Sequence, residues 1–171
     1  YEQRLAESTQ YGRWDALRKK HQVADFQFVY RNSATDPDDS RLFAALDMAT
    51  GVWLPAYDQE WLPQTFANDY PKTLSRFQLA LREVMARGGI VGGLGGGMSS
   101  LPEVVIASDA PDDSGWVRAK LRFGLALFNG AVVDQNFDSH AGRLERMTDL
   151  LRNGARLDRL AGVPGIERRT M

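Results

Sequence analysis

The chain has 171 residues, 43% of them hydrophobic and 25% charged, which predicts one domain with a sizeable core. The formal net charge is −1 and the basic residues are scattered, so we expect neither a nucleic-acid partner nor binding to an anionic membrane. The chain contains no cysteine, which excludes disulfides, thiolate zinc sites and a cysteine nucleophile. No apolar run approaches the roughly 20 residues of a membrane helix, and no signal peptide is recognisable. We therefore expect a soluble protein, and its cellular compartment stays unknown.

Helical and strand-like patterns alternate along the first third of the chain. The first twenty residues, "YEQRLAESTQYGRWDALRKK", are polar with helical spacing. "ADFQFVYR" alternates and predicts a short strand with Phe26, Phe28 and Tyr30 on one face. "DDSRLFAALDMATG" predicts a helix capped by Asp38 or Asp39, and "GVWLPA" predicts a buried strand after it.

The same alternation continues to the end of the chain. A helix is predicted from Pro71, with its apolar residues three and four apart at Leu74, Phe77, Leu81, Val84 and Met85. "GGIVGG" and "AVVDQNF" predict further strands. "AGRLERMTDLLRNG" predicts an amphipathic helix that ends at Gly154 and faces inward with Leu144, Met147, Leu150 and Leu151. The pattern predicts a single α/β domain over residues 1–171, a mostly parallel sheet with helices on both faces.

A glycine-rich run, "GGLGGGMSSLPEVV", follows the "GGIVGG" strand. Ser100 and Glu103 have the spacing of a capping box, and Pro102 suits a first helical turn, so a helix is predicted to begin there. A dinucleotide fingerprint G-x-G-x-x-G does not fit, because its third glycine would fall on Met98. A P-loop does not fit either, because the run contains no lysine.

Two interpretations of this run remain open. Gly93 to Gly97 have the spacing of a nucleophile elbow, G-x-S-x-G, in which a strand turns sharply into a helix and exposes the central side chain. The central position is Gly95, so this elbow has no nucleophile. Alternatively, the glycines only allow a helix to pack close to a strand.

Three segments together resemble the cyanophycinase-like family of serine peptidases. They are "ATGVWLPAYDQEWL", "ARGGIVGGLGGGMSSLPEVVIASD" and "GAVVDQNFDSHAGRLERMTDLLRNGARLDRLAGVPGIE", and the resemblance runs from about Leu42 to the end of the chain. It implies the flavodoxin-like fold of the class I glutamine amidotransferases. Relative to that family the sheet is incomplete at both ends, so we expect further residues of the same product, or another protein chain, to complete it.

The resemblance also implies that the catalytic triad is degenerate. The family's serine position falls on Gly95, its histidine position on Asn136 and its glutamate position on Arg168. Glycine has no side chain to attack a carbonyl, and an amide does not accept a proton near neutral pH. We therefore expect no catalytic residue at these positions, as in a pseudoenzyme.

Other positions of the family's site keep polar side chains that suit a ligand. The resemblance implies binding of a β-aspartyl peptide-like ligand through Asp58, Gln59, Asp134, Gln135, Arg143 and Arg146. The alternative is structural. Asp134 and Gln135 then cap a strand end, and the two arginines form a solvated helix face.

The functional prediction is a binding, scaffold or regulatory subunit of a larger assembly, beside a paralogous or other protein chain. The alternative is an active serine-type peptidase or amidohydrolase that cleaves β-aspartyl or related amide bonds, with Ser99 and His140 or with a nucleophile from a partner. No cofactor is expected. No metal is expected either, because His21 and His140 are the only histidines and lie far apart in the sequence.

Overall fold

The computed structural model describes residues 9–29, 39–67, 71–107, 120–134 and 143–152. The chain divides into two compact units, Tyr1–Thr35 and Asp36–Met171. In the described residues, no helix has both the length and the apolar character needed to cross a membrane.

The first unit contains helix α1 (Thr9–Lys20), which confirms the helical pattern predicted for the first twenty residues where they are described; residues 1–8 lie outside the described ranges. Asp15 pairs with two basic side chains one turn further on, at 2.8 Å from Lys19 and 3.1 Å from Arg18. The hydrogen bond from Lys19, followed in size by the one from Arg18, lowers the pKa of the Asp15 carboxyl below its usual value. These pairs follow the i,i+3 and i,i+4 spacing that supports a polar helix.

The predicted strand "ADFQFVYR" is wrong in its described part. Residues 23–29 are irregular, and the strand's last two residues lie outside the described ranges. Phe26 and Phe28 do lie near each other, with ring centroids 6.4 Å apart. Alternation alone does not make a strand, because the backbone also needs a neighbouring strand to pair with, and the described part of this unit contains none.

The second unit is mixed α/β. Its elements in chain order are α2 (Ser40–Met48), β1 (Gly51–Ala56), α3 (Trp61–Phe66), α4 (Arg76–Ala86), β2 (Ile90–Gly95), α5 (Gly96–Ser99), β3 (Val104–Ala107), β4 (Lys120–Phe123) and α6 (Arg143–Arg152). β1 and β2 pair in parallel, from Gly51 opposite Ile90 to Ala56 opposite Gly95. β3 and β4 pair antiparallel.

Helix α2 forms as predicted. Asp39 is its N-cap and accepts a hydrogen bond from the backbone N–H of Arg41 at 2.8 Å. Leu42, Phe43 and Leu46 form its buried face. The polar cap and the spacing of the apolar residues together fix where this helix begins and which side it buries.

Helix α4 was predicted correctly but begins later than expected. Ser75 and Gln78 form a capping box, so the helix begins at Arg76 and leaves Pro71 and Leu74 ahead of it. Reciprocal capping satisfies two backbone N–H groups at this point, which favours this start over the one at Pro71. The predicted apolar face holds, since Phe77, Leu81 and Val84 are buried.

The parallel sheet has one covered face. Val52, Leu54 and Ala56 of β1 pack against a core formed mainly by α2, α3 and α4. On the opposite face Trp53 is 54% exposed, Ile90 74% and Leu94 65%. The prediction that "GVWLPA" is a buried strand is therefore correct for one face only. That helices cover both faces of this sheet stays a prediction.

The predicted helix at Ser100 is wrong, because Ser100 ends helix α5 and strand β3 begins at Val104. Ser100 Oγ donates to the carbonyl of Gly97 at 2.9 Å, and the N–H of Glu103 donates to the carbonyl of Phe128 at 2.9 Å. The next residues, rich in β-branched side chains, pair with β4 instead. The motif for a capping box was present, but pairing with a distant strand used the backbone groups that a helix would need.

The last two predicted elements have mixed outcomes. Residues 131–134 of "AVVDQNF" are irregular rather than a strand, and residues 135–137 lie outside the described ranges. Helix α6 forms, and its predicted inward face is confirmed in part: Leu150 is buried and Met147 packs against the same cluster, whereas Leu144 is 63% exposed and Leu151 78% exposed. Arg146 and Leu150 are the buried residues of this helix.

Candidate functional site

A sharp strand-to-helix turn lies at the carboxyl end of β2. The strand ends at Gly95, and α5 begins at the next residue. Gly95 has φ +60° and ψ −129°, a conformation that L-residues with a side chain rarely adopt. The predicted elbow is therefore formed in its backbone, four residues before the predicted helix start, and its apex carries no side chain.

The elbow packs directly on the backbone of β1 and of the turn that follows it. A Cβ on Gly97 would lie 1.6 Å from the carbonyl oxygen of Leu54, and a Cβ on Gly96 would lie 2.4 Å from the carbonyl carbon of Asp58. No side chain fits at either distance. Close packing of helix and strand therefore explains Gly96 and Gly97, whereas the positive φ explains Gly95.

Asp58 and Gln59 lie beside the elbow but face different surroundings. Asp58 is exposed, and its Oδ1 accepts from the backbone N–H of Glu60 at 2.8 Å. Gln59 is only 4% exposed, and its Nε2 donates to the carbonyl oxygen of Ile106 on β3. Gln59 therefore connects the turn after β1 to the second sheet, which is a structural contact rather than one to a ligand.

Asp134, Arg143 and Arg146 form a second group of predicted site residues. The side chain of Asp134 is fully buried and accepts from Arg146, Nε to Oδ2 at 3.0 Å and Nη2 to Oδ1 at 2.5 Å. Arg143 Nη1 lies 4.0 Å from Oδ1 of the same carboxylate. The interpretation of the two arginines as a solvated helix face is wrong, because Arg146 is 5% exposed and held in a two-point ion pair.

Both groups contact β3. The carbonyl of Ile106 accepts from Gln59, and the side chain of Ile106 packs against Leu150 of α6, the helix that carries Arg146. Tertiary contacts therefore connect the two predicted groups through one strand. The remaining predicted positions, Gln135, Asn136 and Arg168, and the alternative base His140 lie outside the described residues.

The two serines after the elbow are buried. Ser99 and Ser100 are each 0% exposed. Ser100 Oγ is used in its bond to Gly97, whereas Ser99 Oγ has no hydrogen-bond partner among the described residues. Neither hydroxyl is open to solvent.

Sequence reasoning missed two side chains of α4 that hold the segment after β4. Gln78 Nε2 donates to the carbonyl of Leu125 at 3.0 Å, and Arg82 Nη2 donates to the carbonyl of Ala126. Ala126 has φ +54°, an uncommon value for a residue with a side chain. The S-x-x-Q spacing marks Gln78 as a capping residue, but no local signal shows that its amide also reaches Leu125.

No protein-family model and no curated protein sequence matches the chain. Among the residues with a described position, no group of three or more His, Asp or Glu side chains is arranged to hold a metal ion.

Proposed function

We propose that this chain is a catalytically inactive relative of the cyanophycinase-like serine peptidases, with their flavodoxin-like fold, and that it serves as a binding, scaffold or regulatory subunit of a larger assembly. The observation that carries this proposal is the backbone at Gly95. In hydrolases with an elbow, the side chain at the apex is the nucleophile. Here the strained turn is kept while the apex has no atom that could attack a carbonyl.

The burial of the neighbouring serines also supports an inactive chain. A nucleophile needs contact with both a base and the substrate, and Ser99 and Ser100 are closed off from solvent. An active peptidase would require Ser99 to become exposed, or a partner to supply the nucleophile. Because Ser99 is fully buried in this structure, the geometry favours neither of these two arrangements.

The exposed face of the parallel sheet supports the subunit role. Trp53, Ile90 and Leu94 are large apolar side chains on that face and are all more than half exposed. Parallel sheets are normally covered on both faces, and contiguous apolar surface marks interaction sites. We propose that an apolar surface of a companion protein chain covers this face.

The contacts of the predicted site residues reduce the number of them that we propose to touch a β-aspartyl peptide-like ligand. Gln59 and Arg146 are buried and held by protein groups, so they act as supports rather than ligand contacts. Asp58 is exposed beside the elbow. Arg143 is the more exposed of the two arginines at Asp134, its side chain 17% exposed against 6% for Arg146. Asp58 and Arg143 are therefore the residues we propose to contact a ligand.

The proposal is tested by labelling the natively purified assembly with a fluorophosphonate probe for serine hydrolases and resolving the label chain by chain. We expect no label on this chain, with or without label on a companion. Label on a companion chain identifies this chain as the inactive subunit of an active hydrolase. Label on this chain, lost in the Ser99→Ala variant, contradicts the proposal.

A further inference from the structure

Two buried polar atoms beside the elbow have no hydrogen-bond partner among the described residues. They are Oε1 of Gln59 and Oγ of Ser99. Gln59 is 4% exposed and Ser99 is 0% exposed. Burying such a group without a partner destabilises the folded state, so most buried polar atoms bind protein groups or ordered water.

The backbone geometry places the helix that carries Ser99 directly against the backbone of Gln59. Gly96 and Ser99 are three residues apart on α5 and therefore share one face of the helix. That face lies against the turn after β1, because a Cβ on Gly96 would be 2.6 Å from the backbone nitrogen of Gln59. Ser99 therefore shares the helix face of Gly96, the residue of α5 that packs against the backbone of Gln59.

The orientation of the Gln59 amide is fixed by its other contact. Its Nε2 donates to the carbonyl of Ile106, and exchanging the amide atoms would place two oxygens against each other. Oε1 is therefore held as an acceptor that needs a donor. The Ser99 hydroxyl can donate and accept, yet no hydrogen bond joins it to Gln59 directly.

We infer that Gln59 and Ser99 form a buried site for one water molecule, which connects α5 to the turn after β1. The water donates to Gln59 Oε1 and exchanges a hydrogen bond with Ser99 Oγ. Both side chains are neutral and the neighbouring Asp58 carboxylate is bonded to Glu60, so a neutral donor suits this site better than a cation. The site gives Ser99 an internal structural role.

A double-mutant cycle tests this inference on the full chain, with urea unfolding of the natural protein, Ser99→Ala, Gln59→Leu and the double variant. If the two residues share a water, Ser99→Ala raises the unfolding equilibrium constant in both backgrounds by different factors. The factor in the natural background is at least about threefold larger than the factor in the Gln59→Leu background. Loss of the Ile106 contact occurs in both Gln59→Leu backgrounds and cancels. Equal effects of Ser99→Ala in both backgrounds overturn the inference.

Ser100→Ala is the matched control. Ser100 is equally buried and adjacent, but its hydroxyl is already bonded to Gly97. Its effect should be the same in both backgrounds, and coupling of Ser100 to Gln59 as strong as that of Ser99 would contradict a specific site.

A crystal structure of the natural chain gives a second test that does not depend on the variants folding. We expect a density peak about 2.7–3.2 Å from both Gln59 Oε1 and Ser99 Oγ. An empty site, or one filled by a protein side chain, overturns the inference.

Discussion

The positive φ of Gly95 makes the elbow testable by a single substitution. Gly95→Ala forces a Cβ into a backbone conformation with φ +60° and ψ −129°, which costs about 1–3 kcal/mol in strain. Replacing glycine also restricts the unfolded chain, which returns about 0.4–1 kcal/mol. At the middle of these two ranges, the expected net loss in the free energy of unfolding is about 1.3 kcal/mol. With a urea dependence of about 2 kcal/mol per molar, the unfolding midpoint falls by about 0.7 M.

Gly51→Ala is the matched control on the neighbouring strand. Its Cβ would be 4.0 Å from the nearest atom, the carbonyl oxygen of Ile90, which is ordinary contact. We expect this variant to gain about 0.4–1 kcal/mol. Urea unfolding followed by tryptophan fluorescence compares the two. If Gly95→Ala is as stable as Gly51→Ala, the apex does not have a positive φ and the turn is not an elbow.

Two further predictions concern the ion pair and the exposed sheet face. Asp134→Asn leaves the buried Arg146 without its carboxylate, so the free energy of unfolding should fall by about 3–5 kcal/mol. Asp39→Asn is the control: Asp39 caps a helix, and because asparagine is also a good cap, the free energy of unfolding should change by less than about 1 kcal/mol. Equal losses in urea unfolding would contradict the burial of this pair. If a companion chain covers this face as proposed, Leu94→Lys abolishes its association in sedimentation of the purified assembly, whereas Met48→Lys, also exposed but on a helix, leaves it unchanged. Association that survives Leu94→Lys would remove this face from the interface.

Local signals were sufficient for several parts of the fold. Asp39 and the apolar residues behind it predict α2, because a cap and a helical stripe both act within one element. The spacing of glycines around Gly95 predicts either an elbow or close packing of a helix on a strand, and the structure shows both at this turn. At Ser100 a local motif was misleading, since pairing of β3 with β4 depends on residues about twenty positions further along the chain.

The candidate site was less predictable, because its contacts are tertiary. The apolar spacing correctly predicts that Met147 and Leu150 face inward on α6, but it gives no sign that Arg146 is also buried, in an ion pair with the buried carboxylate of Asp134. Gln59 was identified as a ligand-binding residue from the resemblance, and only its contact with Ile106 reveals a structural role. Neither partner can be deduced from sequence spacing alone.

Hydrolysis of a β-aspartyl dipeptide by the purified natural chain, measured beside its Ser99→Ala variant, tests the central claim most directly. We expect no hydrolysis above the rate in buffer for either protein, because the elbow has no nucleophile and Ser99 is buried. Hydrolysis by the natural chain that Ser99→Ala abolishes would show that this chain is an active peptidase.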